Sequence, residues 1–246
     1  TFMREWLSLY DSKSGERGIY NGMSAKKTVE QLNERYEDGD GNHVLRRDPR
    51  NDFGTNPCSE IILRSREFCN LSEIVVRRED TRESLKEKVR SATILGTFQS
   101  TLTEFKYLSK EWKRNCDEER LLGVSLTGIM DNPITNGTRN GLKELLEELR
   151  DVAYETNKEW SDKLGIPTSA AITCVKPSGT VSQLVDSASG IHARHSPFYI
   201  RTVRADTKDP LCKLMQDMGF PNEADVTKPE HTTVFSFPMK TPKGAV

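Results

Sequence analysis

No run of eighteen apolar residues occurs in the 246-residue sequence, so no helix is expected to cross a bilayer. An excess of either charge is missing too. Lysine and arginine total 36 against 37 aspartates and glutamates, which gives no support to direct binding of nucleic acid through net charge. Cysteine is scarce. The count is five, an odd number without the rhythm of a disulfide scaffold, and this points to free or redox-active thiols in a cytoplasmic protein. Internal repeats and low-complexity segments are absent. Apolar residues at 35% make a lean core, yet the composition is not that of a disordered chain. The sequence opens on Thr1 and closes on "FSFPMKTPKGAV", and both ends read as parts of something longer, so a fragment is expected.

Against these absences stand two long periodic segments. Leu85, Val89, Ala92, Leu95, Phe98, Leu102 and Phe105 recur every three or four residues and predict a helix over 80–108, with Asp80 or Thr81 as its cap. Leu142, Leu145, Leu146, Leu149, Val152, Ala153, Trp160 and Leu164 predict another over 141–164, ended by Gly165 and Pro167. A shorter helix is expected over 24–36. Residues 120–131 read as a buried strand running into a glycine loop, 170–185 as strand, glycine turn and helix start, and 198–205 as a further strand. Strands alternating with long helices predict an α/β fold with parallel strands. Glycine turns are expected at 15–18 and 37–43. The second contains "DGDGN" but lacks the later glutamate of a calcium loop.

The chemistry concentrates in "TNPCSEIILRSREFCNLSEI", residues 55–74. Asn56, Cys58 and Glu60 alternate, and in an extended segment alternate side chains share a face. Pro57 argues for a loop or sheet edge rather than a central strand. A carboxylate beside a thiol works against a thiolate, so a protease-type nucleophile is disfavoured. A thiol that gives up a hydrogen atom needs no thiolate, and a glutamate that takes a substrate proton suits the same loop. A turn holding a small buried cysteine explains N-x-C-x-E equally well. Cys69 follows eleven positions after Cys58, too far for a C-x-x-C redox motif and too isolated for a zinc site.

A second candidate is "KPSGTVS", residues 176–182. A strand, glycine turn and helix start would present free N–H groups to an anion, with hydroxyls from Ser178 and Thr180. It is not a Walker A loop. His192 and His195 flank Arg194 in "HARH" and bring no third metal ligand. They read as a loop that meets anions, and no metal site is expected.

"NPCSEI" followed by "CNLSEI" resembles the active-site segment of ribonucleotide reductases, most closely the monomeric, adenosylcobalamin-dependent ribonucleoside-triphosphate reductases. "ATILGTFQSTLTEFKYL", "NCDEERLLGVSLTGIMD", "VKPSGTVSQLVDSASGIHARHSPFYIRTVR" and "FSFPMK" extend the resemblance over nearly the whole chain. It implies that residues 1–246 form part of a catalytic domain, a ten-stranded α/β barrel. A central finger loop would lie at about 55–70 and a phosphate loop at about 176–182. It implies that Cys58 is the thiyl-radical cysteine acting on the ribose 3′ hydrogen. Glu60 would be the base on the 3′-hydroxyl, Asn56 a hydrogen-bond donor to substrate hydroxyls, and Cys69 one member of the reducing pair. Pro177, Ser178, Gly179, Thr180 and Ser182 would hold substrate phosphates, while Cys116, Cys174 and Cys212 are structural. The implied partners are a ribonucleoside triphosphate, adenosylcobalamin, a thioredoxin-like reductant, and the rest of a reductase chain or a complementing polypeptide. Two alternatives stand beside this: a catalytic piece served by a separate metal-radical subunit, and a non-catalytic α/β module that binds nucleotide.

Overall fold

A computed structural model describes residues 1–13, 18–37 and 40–246. The expected turn at 15–18 and the start of "DGDGN" therefore lie largely outside the described residues. The chain divides into two compact units. The first comprises Thr1–Ile74, Glu83–Leu126 and Leu146–Pro177; the second comprises Val75–Arg82, Thr127–Leu145 and Ser178–Val246.

The first unit opens with helices α1 (Phe2–Ser12) and α2 (Gly22–Asn33). Asn21 caps α2 by accepting from the Ser24 N–H at 3.1 Å. Strands β1 (Phe53–Thr55) and β2 (Ile62–Arg64) form an antiparallel hairpin, with Thr55 opposite Ile62. Strand β3 (Asn70–Val75) pairs with β4 (Leu122–Thr127), and residues 170–174 lie along β4's other edge. The parallel bridge Val124–Thr173 fixes that edge. Gly123 allows this packing. A Cβ there would sit 2.4 Å from Leu71 Cδ2 and 3.1 Å from both Cys174 Sγ and Ile61 Cδ1.

Helix α3 (Arg82–Gln99) buries Leu85, Val89 and Ala92 as its periodicity predicts, but stops well short of residue 108. The reason lies in "QSTLT". Ser100 Oγ donates to the Thr97 carbonyl at 2.7 Å and Thr101 Oγ1 to the Phe98 carbonyl at 2.7 Å, so local side-chain bonds compete with the helix ladder. Leu102 is left exposed. Helix α4 (Lys110–Glu119) went unpredicted because its buried face is Asn115, Cys116 and Glu119, which carries little apolar period. Helix α5 (Leu142–Leu164) has the expected bounds, and Gly165 terminates it at φ 65°. Its Asn157, fully buried, donates to Thr97 Oγ1 and Ser169 Oγ at 3.0 Å each and accepts from the Ser169 N–H at 2.9 Å.

In the second unit the expectation of parallel strands fails. Strand β5 (Phe198–Asp206) pairs antiparallel with β7 (Thr232–Lys240), from Phe198 opposite Lys240 to Asp206 opposite Thr232. The short β6 (Asn222–Ala224) flanks β7, also antiparallel. Helices α6 (Val181–Leu184) and α7 (Pro210–Asp217) complete the unit. The architecture is thus mixed α/β, with small sheets and no closed barrel among the described residues.

Candidate active site

The β1–β2 hairpin carries the first group of candidates. "NPCS" is a turn by its own chemistry: asparagine and proline favour its first two positions, and the Ser59 N–H donates to the Asn56 carbonyl at 2.9 Å. Asn56 Oδ1 accepts from the Ile61 N–H at 3.1 Å, which closes the loop, and Ser59 takes a left-handed φ of 63°. The expected extended run with all three side chains on one face is therefore replaced by a turn. Cys58 is exposed at its tip.

Glu60, two residues on, is turned inward, its side chain 1% exposed. Neither carboxylate oxygen accepts a hydrogen bond. Among the described residues the cation paired with this carboxylate is Lys176, its Nζ 3.7 Å from Glu60 Oε1 and 4.0 Å from Glu73 Oε1 on β3. The Lys176 N–H donates to Ser125 Oγ at 2.9 Å and so fixes the backbone from which the ammonium extends.

Cys69 and Cys174 pack against the cluster of Ile61, Leu121 and Ala170. Burial, followed by the neighbouring Cys174 and Glu60, pushes the Cys69 thiol well above its ordinary range. Burial and then Glu60 push the Cys174 thiol up to about 12, with Lys176 opposing. Both are therefore S–H groups at neutral pH. All five cysteines are free.

Behind the hairpin lies a charge quartet that sequence reasoning missed. Arg47, 1% exposed at its side chain, places Nε 2.6 Å from Glu119 Oε2 and Nη2 3.4 Å from Glu67 Oε2. Arg64 Nε reaches Glu119 Oε1 at 2.8 Å and Glu67 Oε1 at 3.5 Å. Arg47 also holds both strands of the hairpin. It donates to the Ile62 carbonyl at 3.0 Å, and its guanidinium lies 5.0 Å from the centre of the Phe53 ring. Asn33 fixes the backbone beneath it, accepting from the Arg46 and Arg47 N–H groups at 3.0 Å each. Burial and the adjacent Glu119 push the Glu67 carboxyl up to about 8.

In the second unit Ser178 and Ser182 are buried. Ser178 Oγ accepts from the Ser182 N–H at 3.1 Å, Ser182 Oγ donates to the Ser178 carbonyl at 2.5 Å, and Ser189 Oγ donates to that same carbonyl. These hydroxyls shape the loop, whereas Gly179 and Thr180 are exposed. Pro177 is exposed as well. The expectation that Arg194 meets anions is corrected. Its Nε and Nη2 donate to Asp131 at 2.9 and 3.0 Å and its Nη1 to Asp186 at 2.9 Å, with only 3% of the side chain exposed. His192 and His195 are exposed, and no group of metal-ligating residues exists among the described residues.

Two curated proteins that align with the chain share one name. The adenosylcobalamin-dependent ribonucleoside-triphosphate reductase of Lactobacillus gasseri is 27% identical over 256 residues, covering 92% of this chain and 32% of that protein. Its counterpart from Euglena gracilis is 32% identical over 190 residues, covering 76% and 25% respectively. The chain is a relative of these reductases. It spans about a third of their length or less. A crystal structure of a B12-dependent, class II ribonucleotide reductase has the same fold over 92% of this chain and 37% of its own, with a TM-score of 0.67 and 23% identity. No protein-family profile matches the chain.

Proposed function

We propose that this chain carries the radical-cysteine segment of a ribonucleoside-triphosphate reductase. The observation that carries the reading is the pairing, on one hairpin loop, of an exposed thiol at Cys58 with a buried carboxylate at Glu60 whose oxygens have no hydrogen-bond partner. A buried, unbonded carboxylate is expensive unless it has a task. Taking a proton from a substrate hydroxyl is such a task.

In this reading Cys58, as a thiyl radical, takes the 3′ hydrogen of the ribose. Glu60 takes the proton of the 3′-hydroxyl. Asn56 offers its amide N–H groups to substrate hydroxyls while its carbonyl oxygen holds the loop. The 2′-hydroxyl leaves as water, its proton given by one thiol of a reducing pair. That pair, with Cys69 as one member, supplies the two electrons and ends as a disulfide, and Cys58 returns its hydrogen to C3′ as Glu60 returns its proton to the 3′ oxygen. Cys69 stays protonated until used, as a hydrogen donor must. The loop over 177–182 takes the substrate phosphates through its backbone and Thr180, on a frame held by Ser178 and Ser182. A thioredoxin-like reductant regenerates the thiols, and the remaining strands of a ten-stranded barrel come from the other two thirds of a reductase polypeptide.

The names of the relatives favour adenosylcobalamin over a separate metal-radical subunit. The chain fits that cofactor at one point: Cys58 exposes its thiol at a loop tip, where a radical source can reach it. Bound adenosylcobalamin supplies radical chemistry.

The test is Cys58→Ser in a full-length polypeptide carrying this segment. Serine keeps the shape, but its O–H bond is too strong to enter the radical exchange. Deoxynucleotide formation is expected to vanish while nucleotide binding by equilibrium dialysis stays within about twofold. Substantial turnover by the serine variant overturns the assignment.

A further inference from the structure

The Lys176 ammonium is within ion-pair reach of two carboxylates, 3.7 Å from Glu60 and 4.0 Å from Glu73. Both acids are buried at their side chains, at 1% and 7% exposed, while Lys176 is 23% exposed. At 3.7 Å the ammonium balances Glu60 by charge without hydrogen bonding to it. That distinction matters for a base. A lysine N–H donated to the carboxylate would occupy the lone pair that has to receive the substrate's proton. Complete removal of the cation would leave an uncompensated buried charge, which neutralises by taking up a proton. The position observed avoids both outcomes. Glu73 competes with Glu60 for the ammonium, and the bond from the Lys176 N–H to Ser125 fixes its root. Glu60 also acts on the Cys69 and Cys174 thiols, both neutral near pH 7, and among the described residues Lys176 is the cation paired with the carboxylate.

We propose that Lys176 is a positioning residue that keeps Glu60 charged yet unbonded, ready to accept the substrate's proton, and that Glu73 sets its distance. The inference rests on Glu60 being the base. It assigns the lysine of "KPSGT" to the acid–base chemistry rather than to substrate phosphate.

The experiment compares Lys176→Met, Lys176→Arg and Glu73→Gln with the parent in a full-length polypeptide carrying this segment, using steady-state reduction across pH. Lys176→Met is expected to lower kcat about tenfold, a fraction of the ~10²–10⁴ that general base catalysis contributes. KM should stay within about twofold. The acid limb of the kcat profile should move about one unit to higher pH, because a carboxylate without its cation protonates more readily. Lys176→Arg should restore most of the rate. Glu73→Gln provides the opposite displacement without touching Lys176. The ammonium is released toward Glu60, kcat falls, and the acid limb moves to lower pH. A rise in KM with unchanged kcat in Lys176→Met makes the lysine a phosphate ligand and overturns the proposal. Acid limbs unmoved in both Lys176→Met and Glu73→Gln overturn it as well. Glu60→Gln separates the two levels: an active Glu60→Gln enzyme sinks the base assignment itself, whereas an inactive one alongside a neutral Lys176→Met sinks only the role of Lys176.

Discussion

Above about pH 8, where the Glu67 carboxyl is ionised, replacing Arg47 by methionine removes one member of a quartet whose formal charge is zero, two guanidiniums against Glu67 and Glu119. Methionine keeps the length of the stem but deletes the ion pairs at 2.6 and 3.4 Å, the 3.0 Å bond to the Ile62 carbonyl and the contact with the Phe53 ring. The remaining site holds one arginine and two buried carboxylates. Breaking a buried pair from one side costs about 3–5 kcal/mol, because the surviving charge stays desolvated. The side chain is 1% exposed, so solvent screening offers little relief. Against a total stability of about 5–15 kcal/mol, this approaches loss of the fold. Adding Glu119→Gln returns the site to zero charge and should recover a large share of that cost, since neutral replacement of both partners is often tolerated. Urea unfolding above about pH 8 gives the numbers. Trp112 is a suitable reporter, because it stacks on Phe68 at 4.5 Å beside the quartet. A loss below about 1 kcal/mol for Arg47→Met, or no recovery in the double variant, would refute the reasoning.

Two further outcomes follow from the same unit. Glu67 has its carboxyl raised from an ordinary 4.5 to about 8, so its contribution is fully present below about pH 4.5 and is lost as pH rises through about 8. Urea midpoints of the parent should fall across that window, and Glu67→Gln should flatten the decline; an equally steep fall in the variant would show that another group titrates. Gly123→Ala forces a methyl group into Leu71, Ile61 and Cys174, with an expected cost of about 1–3 kcal/mol in the same assay, and an unchanged midpoint would mean that the strands part freely.

The long helices were legible because their cores are apolar and periodic: α5 keeps its predicted bounds, and the buried face of α3 begins as expected. Prediction failed where polar side chains decide. Serine and threonine hydroxyls end α3 early, and α4 buries an asparagine, a cysteine and a glutamate. The β5–β7–β6 sheet depends on pairing between residues far apart in the chain, for which local alternation gives no direction. At the candidate site the residue types were visible and their geometry was not. "NPCSE" reads as alternating on paper, but proline and asparagine fold it into a turn. The partner of Glu60 stands more than a hundred positions away, in a motif read for phosphates. Arg47 carried no motif at all, and its role emerges only from the hairpin it supports.

The unequal exposure of the five cysteines has a practical consequence. Cys116 and Cys212 are buried, Cys69 and Cys174 are partly covered, and only Cys58 projects into solvent. A bulky maleimide offered to the folded chain therefore meets one accessible sulfur. A nitroxide or fluorophore placed there sits at the apex of the β1–β2 turn, where it reports the movement of that loop without any engineered cysteine. The same asymmetry makes the loop tip the first place where air oxidation would be recorded in a mass spectrum.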